Sequence, residues 1–371
     1  MIHTKDTYYL NQYEQKSSIE SSKATARSSE KTQVLSPLLG RLEVVKTRLT
    51  HSNEVATSSM TIAFNIAKKL NINIQDIDYQ GAIENVALLH DVGHPPFGHD
   101  GADMINDFII KLGLKEGFDD NNNNLVCVDK NDIQVSPYVK ASLIKYPEKL
   151  YKNQQEYKKL LNECIQDDRE HFLTLGIKLS NQTRTIACQI MDEADRNSYV
   201  CSDLADFFCL GGNVSYEQLT LINSFHSLNY NVKDMVKNMQ KITMQANKSD
   251  IKNYFNTLKN SFNYAFGLSE KGIIVLDQDL FSFREFLSDV EYEIFIKPIR
   301  KDPFHADNMS MLFDFLNYVI DNEYYPSKTY SYLIEKSSTK KEKLTHIRNM
   351  VSEVSDWYIL MFHKNLKDGT L

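Results

Sequence analysis

The chain has 371 residues, 42% of them apolar, and its 42 Lys and Arg against 49 Asp and Glu leave a net charge of −7. That balance argues against broad attachment to a nucleic-acid backbone, which relies on dense positive charge, so nucleic acid is not expected as the main substrate. No run approaches the roughly 18 to 20 apolar residues that span a bilayer, and the start has no basic segment leading into an apolar one, so neither a membrane span nor a secretory leader is expected.

Taken in chain order, residues 16–30 are rich in Ser, Glu, Lys and Ala and read as a partly flexible segment. After Thr50, the residues Val55, Ile62, Ala63, Ile66, Ala67 and Leu70 fall on one stripe at helical spacing, which predicts an amphipathic helix over 51–70 packed on a core. His51 sits in its first turn. A second apolar helix over 83–90 must end near Gly93, because Pro95 and Pro96 cannot continue it and Pro95 pushes His94 toward an extended backbone. This end carries Leu89-His90-Asp91-Val92-Gly93-His94-Pro95-Pro96-Phe97-Gly98-His99, three imidazoles and a carboxylate within ten residues. His94 and His99 therefore bracket a stiff loop.

Further helical patterns cover 153–166, 180–209, 215–228, 232–245, 249–264, 278–294, 307–322 and 341–368. A strand signal occurs at 272–276, where a short hairpin fits. The expected architecture is all-α, one helical body with insertions rather than separate domains. The tract Asn121 to Asn124 reads as compositional drift. His171, His226, His305, His346 and His363 are scattered and go to surface or core, while Trp357, Tyr358 and Phe362 read as core or subunit interface. Cys127, Cys164, Cys188, Cys201 and Cys209 are odd in number and lack a Cys-x-x-Cys pair, which points to reduced thiols in a cytoplasm.

A His-Asp dipeptide alone carries little weight, since about one is expected by chance in a chain of this composition. A metal also needs ligands from other elements. His51 offers one, and the helical stretch 189–206 offers five acids, of which Asp195 shares a face with Tyr199 and Asp203 at i, i+4, i+8 and Asp192 is the fallback. Two imidazoles with carboxylates suit Mn, Mg, Fe, Ni or Zn and leave coordination positions open for water and a substrate oxygen.

These blocks resemble the HD-domain deoxynucleoside triphosphate triphosphohydrolases, the dGTPase-like family. The resemblance runs in family order through Lys31-Thr32-Gln33-Val34, Thr47-Arg48-Leu49-Thr50-His51-Ser52 with Glu54-Val55, Leu89 to His99, Leu143-Ile144-Lys145-Tyr146-Pro147, and Ile190-Met191 with Ala194-Asp195 and Tyr199. A weaker echo lies at Asp356-Trp357-Tyr358. The resemblance implies an HD-domain helical bundle over 27–210, preceded by the segment 1–26 and followed by a helical part, 211–371, packed on it.

Carried over residue by residue, the resemblance implies His51, His90, Asp91 and Asp195 as ligands of a divalent metal ion. It also implies attack on the α-phosphorus of a deoxynucleoside triphosphate, releasing deoxynucleoside and triphosphate. Arg48 and Arg196 would face the phosphates, joined by Lys145; the ordinary alternative is ion pairing with Glu54 and Asp192. Tyr199 would lie against the sugar, Asp203 would accept from its 3′-hydroxyl, and Gln33 would touch the nucleoside side. His94 and His99 would protonate the departing 5′-oxygen or stabilise its charge. A homo-oligomer with an allosteric nucleotide site would fit the same family.

Two departures alter the proton-transfer machinery. Ala102 stands where the family usually has an acid, with Asp100 and Asp103 nearby, and Asp120 stands where it tends to have a histidine. Each such group is worth roughly 10²- to 10⁴-fold in general acid–base catalysis. The departures motivate a second reading, a nucleotide sensor or partner-gated protein with weak turnover. A third is an HD phosphodiesterase or phosphatase acting on a cyclic or monophosphate nucleotide.

Overall fold

The apolar stripe beginning at Val55 folds as one helix, Arg48–Leu70, with Val55, Ile62, Ala63, Ile66 and Ala67 buried. It belongs to a computed structural model that describes residues 11–32, 46–151 and 154–370. The fold is all-α. Among the described residues, the strands form one antiparallel hairpin, Phe266–Ser269 with Gly272–Val275, in a register that sets Phe266 opposite Val275 and Ser269 opposite Gly272.

The chain groups into two compact units, each assembled from several stretches of sequence. The first takes the described residues up to Ser52, then Leu88–Leu160 and Asp302 onward. Its core forms where the Gly98–Leu112 helix brings Ile105 and Ile109 against Leu312, Phe315, Leu316 and Val319 of the Pro303–Asp321 helix and against Ile347, Met350 and Val351 of the Lys340–Glu353 helix. The second unit takes Asn53–Ala87 and Leu161–Lys301. Its core gathers Leu204 and Phe208 from the Ile186–Cys209 helix with Phe255 and Phe262 from Lys248–Tyr264 and Phe283, Phe286 and Leu287 from Gln278–Glu291. No helix among the described residues is long and apolar enough to cross a membrane.

Two differences from the sequence expectation have local causes. Residues 12–20 and 23–28 are helical where composition suggested flexibility: Asn11 and Glu14 form a reciprocal capping box and Ser22 caps the second helix through the Thr25 amide. These caps satisfy amide groups that a polar sequence would otherwise leave to water. The stretch 341–368 is two helices, Lys340–Glu353 and Asp356–Asp368, divided where Ser355 accepts from the Tyr358 amide and caps the second. The aromatic tail also divides, with Phe362 in the core and Trp357 exposed.

Candidate active site

The helix Ile83–Leu89 stops one residue before His90, and the chain turns through Asp91 and Gly93 as the proline pair requires. The loop is reversed into the Gly98–Leu112 helix by two consecutive left-handed residues, Phe97 (φ 60°) and Gly98 (φ 62°). Phe97 carries a steric penalty there that glycine would not. Asp356 holds this turn: its carboxylate accepts from the Phe97 amide (2.9 Å) and from the amide and hydroxyl of Thr32 (2.8 and 2.7 Å).

The asparagine tract, read from sequence as drift, braces the other side of the loop. It lies in the Asp120–Lys130 helix. Asn124 accepts from the Gly93 amide (2.7 Å) and donates to the His90 carbonyl, while Asn123 donates to the Gly93 carbonyl (2.7 Å). Lys31, buried, donates to the His94 carbonyl (2.6 Å) and the Ser352 carbonyl (3.0 Å). Burial, opposed in part by Cys127, lowers its ammonium to about 8. No periodicity announces these supports, because each joins residues distant in sequence.

The structure brings His51, His90 and Asp91 together. His51 and His90 are both buried, and their donor atoms lie within 4.8 Å of one another. Asp91 stands beside them, 4.0 Å from His51 Nε2 and 3.5 Å from His90 Nε2. Arg48 donates from a terminal nitrogen to Asp91 Oδ2 at 2.8 Å, whereas Glu54, the alternative partner that the sequence offered it, pairs with Lys259 and Ser202. Burial alone would raise the Asp91 carboxyl, but the charges of His90, His94 and Arg48 outweigh it and hold it well below the usual carboxylate range. An ionised carboxylate and two imidazoles, all buried and this close together, fit a divalent cation of borderline softness.

A second cluster follows along the loop. His94, buried, lies between two carboxylates, with Nδ1 3.2 Å from Asp91 and Nε2 3.1 Å from Asp120. His99 is open to solvent, its side chain 73% exposed, with Nδ1 3.0 Å from the same Asp120 oxygen. Burial and the Arg48 charge push the His94 imidazole down, while the hydrogen bond to Asp120 pushes His99 up. The Asp120 carboxyl, which burial would raise, is held far below its usual range by His94 and His99. Asp120 was read from sequence as a lost histidine; it is the carboxylate that meets both imidazoles. Asp103 is exposed, Asp100 pairs with His305 (3.2 Å), and Ala102 packs in the apolar core of the first unit.

The remaining candidates are placed as follows. Lys145 is half-buried between the Pro137–Ser142 helix and the turn Pro147–Lys149. Gln33 lies outside the described residues. In the second unit, Asp195 and Tyr199 are half-buried on the Ile186–Cys209 helix, and Tyr199 hydroxyl lies 3.3 Å from Ser288 Oγ. Arg196 is 3.8 Å from Asp192, which also accepts from Arg184 at 2.8 Å. Asp203 is buried and shares a hydrogen bond with Glu291, whose carboxyl burial and the Asp203 charge hold well above the usual range.

No family model matches the chain. It is 28% identical over 247 residues to deoxyguanosinetriphosphate triphosphohydrolase-like protein 2 of Vibrio cholerae, covering 64% of this chain and 53% of that one. It is 31% identical over 199 residues to the deoxyguanosinetriphosphate triphosphohydrolase-like protein of Ralstonia pickettii, covering 53% and 45%. With the like-named protein of Shewanella pealeana it shares 40% identity over 96 residues, 26% of this chain. The chain thus spans about half the length of the first two relatives. The ordered sequence blocks, the all-α fold and these similarities over about half the chain support a deoxyguanosinetriphosphate triphosphohydrolase-like family.

Proposed function

We propose that the protein hydrolyses deoxynucleoside triphosphates to deoxynucleoside and triphosphate. The observation that carries this reading is the buried His51, His90 and Asp91 cluster, neutralised by Arg48 and flanked by the exposed His99. His51, His90 and Asp91 would hold a divalent metal, with Asp195 as fourth ligand on the strength of the sequence resemblance. When bound, such an ion polarises a phosphoryl oxygen and lowers the pKa of water.

The chain's own residues supply the rest. Arg48 is buried and its Nε has no hydrogen-bond partner among the described residues. It therefore keeps a donor available for an anionic oxygen. Arg196 and Lys145 add positive charge toward the phosphates. Tyr199 and Gln33 receive the nucleoside, and Asp203 accepts from the 3′-hydroxyl. Breaking the bond from the α-phosphorus to O5′ leaves its electron pair on O5′ while a water oxygen forms the new bond. O5′ takes a proton from the His94 and His99 pair, and the water's proton returns to the imidazole through solvent.

The test is incubation of the purified chain with each dNTP and NTP, singly and mixed, with Mn or Mg, and separation of the products. Deoxynucleoside with intact triphosphate is the expected pair and names the preferred base. Monophosphate and pyrophosphate, or no product, would sink the reading.

A further inference from the structure

We propose that Asp120 is the positioning residue for His99, holding the imidazole by Nδ1 so that Nε2 is the nitrogen left to transfer the proton. This deepens the proposed hydrolysis and rests on it for the identity of the proton acceptor. The dyad itself rests on geometry.

His99 is at the second residue of the Gly98–Leu112 helix and its side chain is largely solvent-exposed, so a free imidazole there would sample several rotamers and both tautomers. One contact removes that freedom. Asp120 Oδ2, on a carboxylate only 10% exposed, lies 3.0 Å from Nδ1. Asp120 is in turn fixed. It is the first residue of the Asp120–Lys130 helix, its Oδ1 accepts from the Asn121 amide and side chain at 2.9 Å each, and the preceding Asp119 caps that helix through the Asn122 amide. The positive end of the helix favours the ionised form. His94 Nε2, 3.1 Å from Oδ2, completes the clamp.

A carboxylate that accepts from Nδ1–H selects the tautomer whose Nε2 carries the lone pair, and on protonation makes Nε2–H the available donor. It also stabilises the imidazolium, which agrees with the upward direction at His99. The two departures then form one arrangement. Position 102 faces the apolar cluster with Ile105, Ile109 and Leu312, and the carboxylate arrives from a helix that begins 21 residues beyond His99.

The decisive measurement is long-range nitrogen–proton NMR of the full chain labelled at histidine, with His99 assigned by its loss in His99→Gln. In the wild type the neutral ring should be protonated at Nδ1, against the usual Nε2–H preference of an exposed histidine. In Asp120→Asn that preference should return and the titration midpoint should fall by about one unit, while Asp120→Glu should retain most of the wild-type midpoint. A wild-type ring protonated at Nε2, or a midpoint unmoved in Asp120→Asn, overturns the proposal. So does a second equivalent of Mn or Zn bound by the wild type and lost in Asp120→Asn, since the three groups would then be ligands. In turnover, Asp120→Asn should lower kcat roughly 10²-fold with KM within about threefold, the scale of one general acid–base group. A wild type that releases no triphosphate defeats the hydrolase reading, and the NMR result still decides the dyad.

Discussion

Arg48 and Asp91 meet at 2.8 Å with side chains 3% and 9% exposed, so each neutralises a charge the other could not leave buried alone. Removing one partner of such a pair costs about 3–5 kcal/mol, mainly through the stranded charge. Arg48→Met should lower the unfolding free energy of metal-free protein, read from urea denaturation, by an amount in that range; a change below about 1 kcal/mol would show that the pair is solvated. Glu291 makes a different demand. Burial, then Asp203, hold its carboxyl above the usual value of 4.5. The stability linked to it is therefore full below the unfolded value and is lost as pH rises through the folded one. Glu291→Gln keeps a donor for Asp203 and removes the ionisation. It should be more stable than wild type at about pH 8 and lose that advantage near pH 4; an equal difference in urea midpoint at both values would contradict the shared proton. At this scale the sequence exposed what is local: His90, Asp91, His94 and His99 stand within ten residues of one another. It concealed Asp120 and Asn124, whose partners are reached only through the fold.

Elements were legible where burial repeats at helical spacing, as in Arg48–Leu70 and Ile186–Cys209, and where β-branched residues follow a turn, as in the Gly272–Val275 strand. They were obscure where caps decide the outcome: Ser355 divides one periodic stretch, and Asn11 and Ser22 order a polar one. The Pro-Pro turn was visible as a helix stop, but its packing was not. A Cβ on Gly101 would stand 1.9 Å from the Pro96 carbonyl oxygen, a backbone atom that cannot swing aside. Alanine within a helix ordinarily gains about 0.5–1 kcal/mol over glycine. Here the sign should reverse, with Gly101→Ala losing about 3 kcal/mol as the loop bearing His94 is pushed off the helix that begins with Gly98 and His99. Thermal unfolding at neutral pH checks this, and a stabilised variant would refute the close approach.

Across the whole molecule, a net charge of −7 sits with a site that gathers cationic and imidazole groups, so the overall sign of the chain says little about the pocket's ligand. Three of the four proposed ligands, His51, His90 and Asp91, lie in the first unit. So does Trp357, the chain's single tryptophan, which makes its fluorescence a reporter on that unit. A ligand that binds only the folded state stabilises it by RT ln(1 + [L]/Kd), about 2.7 kcal/mol at roughly one hundred times Kd. Adding Mn to chelator-treated protein should therefore move the tryptophan-detected urea midpoint upward with a logarithmic dependence on concentration. His90→Asn should abolish the shift, because a buried imidazole donor is gone. Asp195→Asn carries the sharper information: its ligand role comes from sequence resemblance, and a shift that survives in that variant would transfer the fourth position to another carboxylate, Asp192 first among them. Since the readout is folding rather than turnover, a metal-binding protein with slow chemistry would pass this test and fail the product assay, which separates the site from the activity assigned to it.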